Sequence, residues 1–308
     1  MNKQDTHTQI SYPVGNHIED NIPTLISSAM LVELNISKWD ARKLDKEASD
    51  EVTHTNNAHV GMANVHKKLL GHCEEHITLK RHIANARNIH YGMTLPWSKS
   101  GLQLVPTSYY FEYVKTMSEQ ENTYNELRDS FFDAYEQAIV DAKDMLGDLF
   151  KPENYPSLED IRRKFSWTLT TMPLPNSGDF RIDLPQQAIE EVKEQYTNFY
   201  DAQLGKSMMV AVNRVYDALA RMSERLDYKD DEDKKTFRDS LVTNLADIVD
   251  LLDHFNLNNN QEMKDMKKSL NKILSGVSAD ALREDSGLRH ETKKAVDEAI
   301  KALPSLDI

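Results

Sequence analysis

Residues 94–113, TLPWSKSGLQLVPTSYYFEY, decide how this chain is read, because they close one helical pattern, turn back on themselves and open another. Pro96 forbids simple helix continuation at Leu95, and Gly101 permits a tight turn. Leu102 to Val105 are expected to add a short strand. Pro106, with Thr107 or Ser108, then starts a new helix. Beyond that start, Tyr124, Phe131, Ala138 and Met145 recur every seven residues, with Leu127, Tyr135, Ala142 and Leu149 beside them. This spacing predicts a continuous apolar seam on one long helix. Unbroken from 107 to 150, it would measure roughly 65 Å at about 1.5 Å per residue.

Upstream, residues 1–24 are polar and interrupted by Pro13, Gly15 and Pro23, which predicts an irregular arm. Val32, Leu34 and Ile36 alternate with Glu33, Asn35 and Ser37, the period of a half-buried strand. Ser37 then reads as an N-cap for a short helix carrying Ala41, Leu44, Ala48 and Val52 on one face. A second helical pattern runs from about Asn57 through Val65, Leu69, Cys73 and Ile77 to Tyr91, with Gly92 as its cap.

Downstream, Ser157 and Asp160 resemble a capping box for a helix ending at Lys164. Phe165, Trp167 and Leu169, and then Phe180, Ile182 and Leu184, alternate with polar residues and read as a hairpin that joins the first strand in a small antiparallel sheet. From Pro185 a helix carries Ile189, Val192, Tyr196, Phe199, Leu204, Met208, Ala211, Val215, Leu219, Met222 and Leu226. The step from Phe199 to Leu204 is one residue too long, and with Gly205 nearby it predicts a kink or a break. After the charged connector at 227–235, apolar spacing predicts three short helices over 237–303 that form a bundle of their own.

The expected fold is therefore mainly α with a minor β component: an elongated, coiled-coil-like assembly of long helices, a small antiparallel sheet and a C-terminal helical bundle. The expected division is 1–24 as an arm, 25–228 as the long-helix domain and 229–308 as the bundle. At 308 residues, 28% of them charged and 39% hydrophobic, the chain can bury a core without disulfides or metals.

The formal charge of −13 lies beyond residue 100: the first hundred residues carry eleven basic and eleven acidic side chains, leaving 26 against 39. Nucleic acid is not the expected partner. A small DNA-contacting patch at Lys67, Lys68, Lys80, Arg81 and Arg87 is the alternative to a solvated helix face. Cys73 is the chain's only cysteine, which excludes an intrachain disulfide and points to a reducing compartment. With no leader pattern and no apolar run of about 20 residues, a cytoplasmic location without membrane contact is expected.

Seven histidines, at 54, 59, 66, 72, 76, 82 and 90, fall within 37 positions. His72 and His76 are four apart, a spacing that holds zinc when both stand on one helix. HCEEH lacks the glutamate placement of HExxH, and Cys73 and Glu75 point elsewhere on a helix, so partly exposed helical histidines are the plainer reading. Adjacent carboxylates such as Glu74 and Glu75 splay apart on helices. The sequence contains no Walker A loop, GxGxxG, GxSxG or paired CxxC. No catalytic residue, cofactor or metal ligand is therefore assigned. Trp39, Trp97, Tyr109 and Tyr110 are the candidate partner contacts, since aromatics dominate binding surfaces.

At 34–45 (LNISKWDARKLD), 95–106 (LPWSKSGLQLVP), 146–165 (LGDLFKPENYPSLEDIRRKF) and 173–184 (PLPNSGDFRIDL), the chain resembles an uncharacterised domain family of phages and mobile elements. The resemblance spans roughly residues 28–225, with the LPW, YPS and DFR elements at Leu95-Pro96-Trp97, Tyr155-Pro156-Ser157 and Asp179-Phe180-Arg181. Leu102-Gln103-Leu104 stands where the family's pattern has an arginine, which speaks against an anion-binding turn. Members of that family are often encoded near a MoxR-type AAA+ ATPase and a protein with a von Willebrand factor A-type domain. The resemblance thus implies an accessory or adaptor part in a remodelling system, and no catalytic residues to carry over. The leading expectation is a non-enzymatic helical scaffold or adaptor of phage or mobile-element origin that self-associates or holds a partner along its long helices. The alternatives are a phage factor that binds a host defence protein and a metal-dependent enzyme using the histidine-rich helix.

Overall fold

The structure is a computed structural model that describes residues 28–174, 186–228, 238–257 and 259–303. The expected arm at 1–24, the hairpin's second strand at 180–184 and most of the 227–235 connector lie outside these residues. In chain order the elements are β1 (Ala29–Ser37), β2 (Arg42–Asp45), α1 (Lys46–Thr55), β3 (Val65–Lys68), α2 (Glu74–Met93), β4 (Leu95–Pro96), β5 (Gln103–Pro106) and α3 (Thr107–Leu146). After two short 3-10 turns come α4 (Leu158–Arg162), β6 (Ser166–Pro173), α5 (Gln186–Leu226), α6 (Ser240–Phe255), α7 (Gln261–Leu274), α8 (Ala279–Glu284) and α9 (Ser286–Ala302). The fold is mainly helical with small sheets, as the periodicity predicts.

The chain forms two compact units. One takes Met93–Phe111 together with the described parts of Met1–Val32 and Thr171–Ile308, and the other takes Glu33–Gly92 and Glu112–Thr170. The division expected at 228/229 falls within the first unit, and that expected at 24/25 lies outside the described residues.

In the first unit the 94–113 stretch behaves as its residues dictate. Trp97 and Ser98 donate backbone N–H groups to the Leu102 carbonyl, and Gly101 takes φ +106° in the turn between them. β4 and β5 pair antiparallel, Leu95 opposite Leu104, and β5 pairs antiparallel with β1, Ala29 opposite Pro106. The sheet order is β4-β5-β1-β6, so the first strand and the 166–173 strand do meet in one small sheet. Two side chains of α5 satisfy carbonyls of this segment: Ser207 Oγ donates to Pro96 at 2.6 Å and Arg214 donates to Thr94 at 2.8 Å. Trp97 packs with Ala29, Leu31, Leu104, Leu174 and Tyr200 in one core.

α5 is not broken at Gly205 but runs continuously through it. Its buried register passes through Tyr200 and not Phe199: Tyr200 is 4% exposed and Phe199 53%. Tyr200 to Leu204 is an ordinary step of four, so no residue is skipped. Nor do the C-terminal helices pack by themselves. Val215, Leu219, Met222 and Leu226 of α5 share a core with Leu245, Val249, Leu252, Leu270 and Val296. A short helix that the spacing does not announce, α8, capped by Ser278, precedes the expected last helix α9, which Asp285 caps.

The second unit corrects two helices. The segment read as a helix from Ser37 is a turn, strand β2 and then α1, because Ala41 takes φ +51° and Asp45, not Ser37, accepts from Ala48 N–H as the N-cap. The helix read from Asn57 begins only at Glu74, since Asn57, Gly61 and Gly71 all take positive φ and β3 intervenes. It then runs through Gly92 without stopping there.

Helix α3, at 40 residues, extends about 60 Å. Tyr124, Phe131, Tyr135, Ala138 and Ala142 are buried as its seam, packed with Leu79, Ile83, Ile161 and Phe165. The seam ends there, because Met145 is 50% exposed and Leu149 lies outside the helix. Ser157 caps α4, accepting from Asp160 N–H as predicted.

Candidate functional site

The short ribbon β2–β3 gathers positive charge in a way its sequence positions do not announce. Its register puts Arg42 opposite Lys68, Lys43 opposite Lys67, Leu44 opposite His66 and Asp45 opposite Val65. Side chains alternate across a ribbon, so Arg42, Lys68, Leu44 and His66 share one face. All four are solvent-exposed, Leu44 at 39%. The other face carries Lys43, Lys67, Asp45 and Val65. Lys67 is buried there, its ammonium 3.0 Å from the Asp45 carboxylate and donating to the Leu149 carbonyl at 2.8 Å. The Lys67 ammonium, helped by the Ala48 N–H, holds the Asp45 carboxyl below the usual range.

The ribbon is fixed at its ends. Leu69 N–H donates to the Ala41 carbonyl at 2.8 Å, and Val65 N–H donates to Ser49 Oγ on α1 at 2.9 Å. Asp45 both closes the ribbon and caps α1, placing Lys46 in the first helical turn, where the macrodipole disfavours a cation. Beside this corner lies an open cleft of about 160 Å³ lined by Lys43, Asp45, Lys46, Glu47, Lys151 and Asn154. Lys151 pairs with Glu47 at 2.9 Å, and that carboxylate raises its pKa.

Arg42, Lys43, Lys46 and Lys68 have no carboxylate within ion-pair distance among the described residues. Like charges directly opposite each other destabilise a ribbon, yet two consecutive registers here are cation against cation. Chemically, the outer face offers an arginine, a lysine and a histidine beside one apolar side chain. Such a face is complementary in charge to an anionic surface with an apolar spot, and it has no nucleophile or acid–base pair.

Of the five basic residues that the sequence suggests as a DNA-contacting patch, Lys67 and Lys68 belong to this ribbon. The other three lie on α2: Lys80 pairs with Asp40 at 3.3 Å, Arg87 donates to the Ile36 carbonyl at 2.6 Å, and Arg81 is exposed. The sequence reading missed Arg42, Lys43 and Lys46, although the doublets Arg42-Lys43 and Lys67-Lys68 are visible in it.

The aromatic candidates are distributed differently. Trp97 faces inward, 4% exposed, 5.2 Å from the Tyr200 ring. Trp39 is half-buried, edge-on to Tyr135 at 5.9 Å. Tyr109 is half-buried and stacks on His254 at 4.9 Å. Tyr110 is half-buried beside Phe111, itself 83% exposed.

The histidines do not form a ligand set. His72 is exposed and precedes α2, so it shares no helical face with His76. His76 is buried with Nε2 2.9 Å from the Trp39 carbonyl, and burial lowers its pKa. His90 is buried against Tyr113, Nδ1 to Oη 2.9 Å, its pKa pushed down to about 4. Among the described residues no three His, Cys, Asp or Glu side chains converge as a metal site would require. No described helix is long and apolar enough to cross a membrane.

No protein-family model, no curated protein and no solved structure matches this chain. The reading of its function rests on the ribbon.

Proposed function

We propose that this chain is a non-enzymatic helical adaptor that holds an acidic protein partner on the outer face of the β2–β3 ribbon. The observation that carries the proposal is the pairing of Arg42 with Lys68 on the outer face of the ribbon, both exposed and neither with a carboxylate in ion-pair distance among the described residues. Such a surface costs stability in the free protein and gains it when an anionic surface is laid against it.

A protein fits better than a nucleic acid for two reasons. Leu44 stands exposed beside Arg42 and His66 on the outer face, where a phosphate backbone offers it nothing. The chain as a whole carries −13, which opposes the long-range approach of a polyanion. The family resemblance makes a MoxR-type AAA+ ATPase the first partner class to test.

The test is a photo-crosslinking amino acid in place of Leu44, irradiated in the source cells. The expected adduct is a polypeptide: protease-sensitive, nuclease-resistant and lost in the Arg42→Glu, Lys68→Glu double variant. An adduct with nucleic acid, or the same adduct in the double variant, overturns the proposal.

A further inference from the structure

The acidic surface that matches the ribbon is carried by the same chain. On α3, Glu112, Glu119, Glu126 and Asp133 recur every seven residues and are all exposed, on the side of the helix turned away from the buried seam. The next position in that series is Val140, 59% exposed. Glu136 and Asp144 flank it four residues to either side, both exposed. None of Asp133, Glu136 and Asp144 makes an ion pair among the described residues, and α3 carries nine acidic against three basic side chains.

The spacings correspond as well as the charges. Across an antiparallel ribbon, paired side chains such as Arg42 and Lys68 have Cβ atoms about 5 Å apart. Carboxylates three apart on a helix, such as Asp133 and Glu136, have Cβ atoms about 5–6 Å apart. Two residues along the ribbon, about 7 Å from the Arg42/Lys68 pair, stand Leu44 and His66. Four residues along the helix, about 6 Å from Glu136, stands Val140, with Asp144 one further turn on. Laid together with the strands along the helix, the cation pair meets the carboxylate pair and Leu44 meets Val140.

We infer that the ribbon's occupant is a second copy of this chain, docked through the Asp133-Glu136-Val140-Asp144 stripe of its α3. This rests on the reading of the ribbon as a protein-docking face and names the partner. The contact is heterologous, ribbon to helix, so it closes into a symmetric dimer if made reciprocally and otherwise extends.

The experiment is light scattering on the purified chain at 0.1 M and 1 M salt, where the screening length falls from about 10 Å to about 3 Å. The expected result is a mass above the 35.4 kDa of one chain at low salt, reverting to one chain at high salt. Arg42→Glu with Lys68→Glu, and separately Asp133→Arg with Glu136→Arg, each give a single-chain mass at low salt. An equimolar mixture of the two variants associates again. Since all four positions are exposed, circular dichroism matching the parent chain is expected of both.

A single-chain mass for the parent at low salt, an oligomer indifferent to either double variant, or a mixture that fails to associate overturns the inference. Irradiating the purified Leu44 photo-crosslinker separates this failure from that of the adaptor reading. An adduct only with another protein in cells, and none between copies, sinks self-association while leaving the docking face intact. No polypeptide adduct in either setting sinks both.

Discussion

Lowering the pH from 7 to 4 is expected to remove about 3 kcal/mol of stability through one side chain, His90. The ring sits in the last turn of α2 at 2% exposure, with Nδ1 2.9 Å from the Tyr113 hydroxyl. That hydroxyl can serve either protonation state. The helix C-terminus favours the cation, but burial outweighs it and carries the pKa from 6.5 down to about 4. In the unfolded chain His90 takes up a proton near pH 6.5, while in the folded chain it stays neutral until about pH 4. Between those values the unfolded state binds the extra proton. Stability is therefore complete above the unfolded pKa, falls through the window, and is lowest below about pH 4. A difference of about 2.5 pKa units at 1.36 kcal/mol each gives roughly 3 kcal/mol, a large share of a typical domain's total.

The measurement is urea unfolding of the parent chain and His90→Gln at pH 7, 5.5 and 4. The difference between the two proteins cancels carboxylates such as Asp40 and Asp45, whose lowered pKa values place their effects further into acid. The parent is expected to lose stability relative to the variant as the pH falls. Parallel pH profiles for the two proteins, or an NMR midpoint for the His90 ring near 6.5, would refute the burial argument.

Two further substitutions examine the packing. Gly71→Ala is expected to cost more than about 1 kcal/mol, because Gly71 holds φ +50° and an added Cβ would stand 2.9 Å from Met145 Sδ. Adding Met145→Ala is expected to relieve only the steric part, so full recovery in thermal unfolding would show that the backbone conformation carries no penalty. Tyr200→Ala is expected to cost about 3–5 kcal/mol as a core truncation, and Phe199→Ala, at the more exposed neighbour, well under half of that. Equal losses in denaturant midpoint would mean that α5 presents a different face.

Where the sequence was legible, the reason is local chemistry. The strand at β1, the Pro96–Gly101 turn, the helix start at Thr107 and the Ser157 cap each follow from residues within a few positions of one another. The misread helices failed at Ala41 and Asn57, which adopt left-handed conformations without being glycine. Leu44 and Val52, whose spacing suggested a buried face, are about 40% exposed. Phe199 and Tyr200 are adjacent aromatics, and only the packing of Trp97 and Leu174 decides which one belongs to the core. The ribbon was hidden for a different reason. Its two basic doublets lie 25 positions apart with a helix between them, and nothing local announces that Arg42 will face Lys68.

The two units are threaded through one another along the chain, which passes between them at 32/33, 92/93, 111/112 and 170/171. No single cut can therefore release either one, and a fragment ending near residue 170 carries every segment of the Glu33–Thr170 unit only by also carrying 93–111, which belong elsewhere. During synthesis that unit has all its parts once residue 170 has emerged. The other must wait for the C-terminal helices, so its early strands are made long before the helices that cover them.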